Sequence, residues 1–230
     1  MNRTTCTTAL LAVSLWITAA TAAAAEPLLA GTWTPTGPAT DTARTLDGKA
    51  PPLTAAGRAL QAQRKGGTDP VSRCLRPGTP RILLQSNPML LLQTASKVTF
   101  VHEFQHVLRH VYLNESLPAS DELDALHGGT AAGRWEGDTL VVETAGFIDS
   151  LWLDRSGLPQ SSDARITERL RLSGPDTLED TVTVNDPRYY SAPWSLRVTF
   201  KRAQGLQLKE IVCAESIMDP ALRKSFQQKR

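Results

Sequence analysis

The chain has 230 residues, with 25 Lys and Arg against 23 Asp and Glu and a formal net charge of +2. So even a balance gives no electrostatic reason to expect nucleic acid or an anionic membrane surface as a partner. The length suits one domain with a full-sized core, and no run reaches the roughly 20 apolar residues that a membrane-spanning helix needs.

Residues 1–25 read as a secretory leader. Arg3 supplies the positive start, Ala9 to Ala20 (ALLAVSLWITAA) the apolar centre, and Ala23-Ala24-Ala25 the small-residue cleavage pattern before Glu26. The protein is therefore expected to be exported, to the periplasm or outside the cell. Residues 26–230 are expected to form a single β-barrel-like domain. Cys6 leaves with the leader, so Cys74 and Cys213 remain, and in an oxidising compartment two cysteines predict one disulfide, Cys74–Cys213.

Residues 26–80 form a loop and helix segment, and residues 81–230 a strand meander. Thr54 to Lys65 (TAAGRALQAQRK) has helix formers behind a capping threonine, and Gly66 to Pro80 has the Gly-Gly, Asp-Pro and Pro-Gly steps of a loop. Met89 to Thr94 and Val98 to Phe104 are β-rich. Arg134 to Glu143 reads as a hairpin turning at Gly137. Arg165 to Ser173 and Thr177 to Val184 flank Gly174-Pro175-Asp176 as a second hairpin. Trp194 to Arg202 and Leu206 to Cys213 flank Gln204-Gly205 as a third. Strands joined by tight turns predict a mainly antiparallel meander, and closure into a barrel removes its exposed edges.

The stretch Val101 to His110 reads VHEFQHVLRH and contains the H-E-x-x-H pattern of zinc peptidases. On a helix His102 and His106 would stand about 6 Å apart, as zinc binding needs. On a strand the same spacing places them about 13 Å apart. The lead-in Val98-Thr99-Phe100-Val101 and the lead-out Val111-Tyr112 favour strand, so residues 98–113 are expected to be extended. The longer zinc pattern fails too, because its glycine and third histidine fall on Arg109 and Tyr112.

Alternation then sorts the faces. His102 shares a face with Val98, Phe100 and Phe104, and Arg109 with Val107, Val111 and Leu113. Glu168 lies with Ile166, Leu170 and Leu172, and Glu210 with Leu206, Leu208 and Val212. Each inward face thus carries one ionisable group, and buried charges must pair. The four side chains are expected to meet, either as an ion-pair network that sets strand register or as the polar floor of an apolar pocket.

The segment Gly133 to Phe147 (GRWEGDTLVVETAGF) closely resembles a motif of an uncharacterised family of exported bacterial β-rich proteins. Further motifs carry the same resemblance: Trp152-Leu153-Asp154, Thr167-Glu168-Arg169, the set Asp186, Pro187, Tyr190, Pro193 and Trp194, and the closing Glu210, Val212 and Cys213. Gly31-Thr32-Trp33 resembles the Gly-x-Trp opening of lipocalin-type barrels. The resemblance implies a lipocalin-like barrel and supplies candidate residues rather than a reaction. Where the family often has a histidine before a serine, this chain has Gln160 before Ser161, so an activity resting on that histidine would be missing here.

The expected function is binding of a small apolar or aromatic molecule inside the barrel, with no cofactor. Its enzymatic form is an acid–base isomerisation, cyclisation or elimination. There His102 shuttles a proton beside Glu168 or Glu210, and Arg109 and Tyr112 hold a developing oxyanion. Two alternatives come from other classes: a zinc peptidase using His102, Glu103 and His106, and a structural or assembly protein of the cell envelope.

Overall fold

The structure is a computed structural model that describes residues 27–37, 42–149, 151–211 and 213; the expected leader, residues 1–25, lies outside them. Eleven strands are present among the described residues: β1 (Gly31–Pro35), β2 (Met89–Gln93), β3 (Lys97–His102), β4 (Leu108–Leu113), β5 (Thr130–Glu136), β6 (Thr139–Ala145), β7 (Leu151–Trp152), β8 (Pro159–Gln160), β9 (Arg165–Gly174), β10 (Thr177–Asn185) and β11 (Trp194–Arg202). Nine of them close into a barrel in the order β1-β11-β10-β9-β6-β5-β4-β3-β2, and β7 and β8 pair separately. Among the described residues the fold is mainly β, with one named α-helix, α1 (Ala55–Arg64), as the alternating pattern predicts. No helix among the described residues is long and apolar enough to cross a membrane.

Local chemistry accounts for the elements read correctly. The Thr54 hydroxyl accepts the Gly57 N–H at 3.1 Å and caps α1. A Cβ on Gly57 would stand 2.4 Å from the Tyr189 carbonyl oxygen, so only glycine lets the helix lie this close to the 186–190 turn. Gly137 turns the β5–β6 hairpin with a φ of 64°. Inward positions of successive strands build one core, with Trp33, Phe100, Val142, Ile166, Leu178, Val182 and Phe200 all buried.

Three features depart from the alternation pattern. The stretch 98–113 is not one extended run: β3 ends at His102, and a single 3-10 turn at Phe104–His106 folds the chain back into β4. Gln105 and His106 in that turn both adopt left-handed backbone, at φ 52° and 49°. Second, β4 and β5 run parallel, because residues 114–129 return along the barrel before β5 begins. Third, residues 206–211 form no strand. Hydrogen bonding to the free edge of β11 is already taken by β1, which pairs Trp33 with Arg202 and Pro35 with Phe200 and so closes the barrel. The tail is displaced and runs across the β3–β4 turn to Cys213, which bridges to Cys74 over a separation of 139 residues.

Residues 77–85 are nine consecutive buried positions, although the region around them reads as loop. They lead directly into β2, at the barrel end where β3 and β6 finish and β9 and β11 start. Gln160 donates from Nε2 to the Thr79 carbonyl at 3.0 Å and holds this plug to β8.

Candidate functional site

The plugged end of the barrel positions the polar cluster. His102 is the last residue of β3, Arg109 the second of β4, Thr144 lies next to the end of β6, and Glu168 sits near the start of β9. All four side chains point inward and are buried. Arg109 Nη1 donates to Glu168 Oε1 at 2.7 Å, Nη2 donates to Glu168 Oε2, and Nη2 also reaches Thr144 Oγ1 at 2.7 Å. The guanidinium lies 5.3 Å from the Phe100 ring centroid, a cation–π distance. A fork-on-fork pair of this kind neutralises both charges and fixes the orientation of each.

Two further ionisable groups share that lumen. The His102 ring stacks on Phe100 with centroids 6.2 Å apart. Burial, with Arg109 as the nearby positive charge, pulls its pKa down to about 3, so the imidazole is neutral. Asp180 on β10 is fully buried and diagonal to Glu168, which faces Val182. Burial first, then the Glu168 charge, pushes its carboxyl well above the ordinary range and keeps it protonated. The lumen therefore holds one compensated ion pair and two neutral, titratable groups. His102 Nε2 and Arg109 Nε are buried without a hydrogen-bond partner, while the protonated Asp180 carboxyl has Glu168 within reach of its proton.

Of the residues picked from the sequence, His102, Arg109 and Glu168 come together and two do not. Tyr112 alternates with Arg109 along β4, so it faces outward, 43 % exposed, with Lys97 5.9 Å from its ring. Glu210 is exposed on the displaced tail, for the closure reason given above. Asp180 was missed, yet its signal is present in the sequence: it occupies the same alternating face as Leu178, Val182 and Val184.

The H-E-x-x-H residues diverge. His102 enters the lumen, whereas His106 lies outside, its Nε2 3.3 Å from both the Lys209 carbonyl and the Ile211 N–H, either of which one tautomer satisfies. Glu103 is buried between them, accepting from Asn87 Nδ2 at 3.2 Å and from the Lys209 N–H at 2.9 Å. The zinc reading loses its ligand pair through this geometry. Among the described residues, no three His, Cys, Asp or Glu side chains gather as a metal site.

Several motif residues prove to lock loops. Asp154 accepts from the backbone of Ala43 and Leu158 and from Ser156, and Asp186 takes both the N–H and the hydroxyl of Ser161. Gln160, buried, spends its amide on the plug. Four of the cavities among the described residues lie elsewhere, and no cluster residue lines any of these four. The chain matches no known family model, and no curated protein matches it.

Proposed function

We propose that this barrel binds one small, neutral, largely apolar molecule whose single polar group meets His102 and Asp180. The observation that carries the reading is the set of buried polar groups that converge there: His102 Nε2 and Arg109 Nε meet no hydrogen-bond partner, and Asp180 is a neutral carboxyl beside Glu168. Unpaired polar groups in a core are costly, and a converging set of them is how apolar binding sites fix a ligand's orientation. Charge decides the ligand class. Arg109 and Glu168 cancel and His102 and Asp180 are neutral, so a charged guest would be buried uncompensated. A hydroxyl or carbonyl fits, because a protonated carboxyl donates and a neutral imidazole accepts.

Binding is favoured over turnover. A general base works best with a pKa near the operating pH, and a histidine at about 3 is too weak by several units. The GRWEGDTLVVET motif supports membership of the exported family that it resembles, and the Cys74–Cys213 bridge is in keeping with an oxidising compartment.

Native mass spectrometry of the protein isolated from its export compartment tests the reading. One neutral small molecule per chain is expected, lost from a His102→Leu, Asp180→Leu variant that keeps its fold. Bare protein mass, together with a leucine pair that melts higher than the parent, would mean that the cluster is scaffolding.

A further inference from the structure

A second buried cation lies outside the lumen cluster. Arg81, which opens the 3-10 turn in the plug, is only 2 % exposed. Its Nη2 donates to Asp69 Oδ2, while Nε and Nη1 meet no hydrogen-bond partner. Asp69 meets the guanidinium through that one oxygen, and its other oxygen caps the chain by accepting the Val71 N–H at 3.0 Å. A guanidinium has five N–H donors, so this one is buried largely unmet.

Arg81 also lines a crevice of 120 Å³ whose walls include Val71, Leu75, Ile148, Leu151 and Trp152. His127 and Arg76 are its other ionisable members. Trp152 is in turn a wall of a 570 Å³ cleft beneath α1, where Arg58, Arg64, Lys65 and Arg155 stand with Asp69 as the one carboxylate. In a nearly charge-balanced chain, this concentration of cations raises the local level of anions. The crevice is also held in shape: Cys74, between Val71 and Leu75, is bridged to Cys213, and Asp69 caps the turn that carries Val71. Preorganised walls lower the entropic cost of binding.

We propose that this crevice binds a small amphiphilic carboxylate, its apolar body against Leu75, Leu151 and Trp152 and its carboxylate on the inner N–H groups of Arg81. A dry cavity of comparable size takes a benzene-sized guest, so the body has about six carbons. A planar carboxylate matches a guanidinium better than a bulky, more strongly hydrated oxyanion does in an apolar setting.

Calorimetric titration of the oxidised protein with hexanoate, hexan-1-ol and inorganic phosphate tests the site. Hexanoate is expected to bind saturably at one per chain, with the alcohol and phosphate at least tenfold weaker. Arg81→Lys keeps the charge but loses the donor geometry, and it should weaken hexanoate about tenfold while leaving the alcohol unchanged. Should that buried variant fail to fold, Leu75→Trp decides. Leu75 is a crevice wall but 47 % exposed, so the bulkier ring is tolerated and should block hexanoate. Equal affinity for acid and alcohol, no saturable binding, or unchanged affinity in Leu75→Trp would each overturn the proposal. So would a loss of hexanoate in Asp180→Asn with none in Leu75→Trp, because that would place the acid in the lumen.

Discussion

Arg109 on β4 and Glu168 on β9 grip each other through both carboxylate oxygens although β5 and β6 stand between their strands in the barrel wall. The pair therefore spans the lumen and ties together wall segments that share no backbone hydrogen bonds. Asp180, protonated and diagonal to Glu168, completes the arrangement because it has a proton to give up.

That reserve carboxyl shapes the first prediction. Removing one partner of a buried ion pair ordinarily costs about 3–5 kcal/mol, since a charge is left stranded. In Glu168→Gln, Asp180 can ionise and take over the neutralisation of Arg109, so the loss should fall below that range. Asp180→Asn alone, which removes a strained carboxyl, should be neutral or stabilising. The double variant should then lose more than the two singles together. Urea unfolding measures all three, and strict additivity would mean that Asp180 does not couple to the pair.

The two neutral groups give opposite pH signatures. His102 has a folded pKa near 3 against an ordinary 6.5, so its stabilising contribution is complete above 6.5 and is lost as pH falls toward 3. The slope is about 1.4 kcal/mol per pH unit in that window. Asp180 is raised above its ordinary 3.8, so folding gains from it as pH falls toward that value. Between pH 6.5 and 4.5 the two oppose each other in the parent. Relative to the parent, His102→Gln should gain stability as the pH drops and Asp180→Asn should lose it. Parallel melting profiles across that window would remove both groups from the buried lumen.

The disulfide should matter beyond loop closure. A bridge closing 139 residues is worth about 5 kcal/mol by chain entropy. It also anchors both segments that clasp the left-handed turn at Gln105 and His106. Leu75 accepts from the Gln105 amide, and the Lys209 N–H binds Glu103. Amide exchange in a Cys74→Ala, Cys213→Ala variant should therefore accelerate first at Lys209 and Ile211, then at Val107. Acceleration spread evenly over the barrel would mean that the clasp carries no local stability.

Tyr112→Phe and Glu210→Gln should each change stability by less than about 0.5 kcal/mol and leave any lumen ligand in place, since both side chains lie outside the barrel. Ligand loss in either variant would place the site elsewhere.

Much was legible from residues alone. Alternation placed His102, Arg109 and Glu168 on inward faces because side-chain direction in a strand is a local property of the backbone. Applied to β10, the same rule would have placed Asp180 inward as well, since its face mates Leu178, Val182 and Val184 are as apolar as those of Glu168. The turns at Gly137 and at Gly174–Asp176, the threonine cap of α1 and the cysteine pair were likewise readable from short stretches. Tertiary structure decided which strand takes which edge, and that choice is not local. Leu206 to Cys213 alternates well enough for a strand, but β1 holds the edge of β11, so the tail with Glu210 is left outside. Two left-handed residues after Glu103 turned the chain away from one long strand and sent His106 out while His102 stayed in. The clasp of Arg109 on Glu168, the buried plug at 77–85 and the enclosure of Arg81 arise only once the barrel has closed, because each depends on elements brought together from distant parts of the chain.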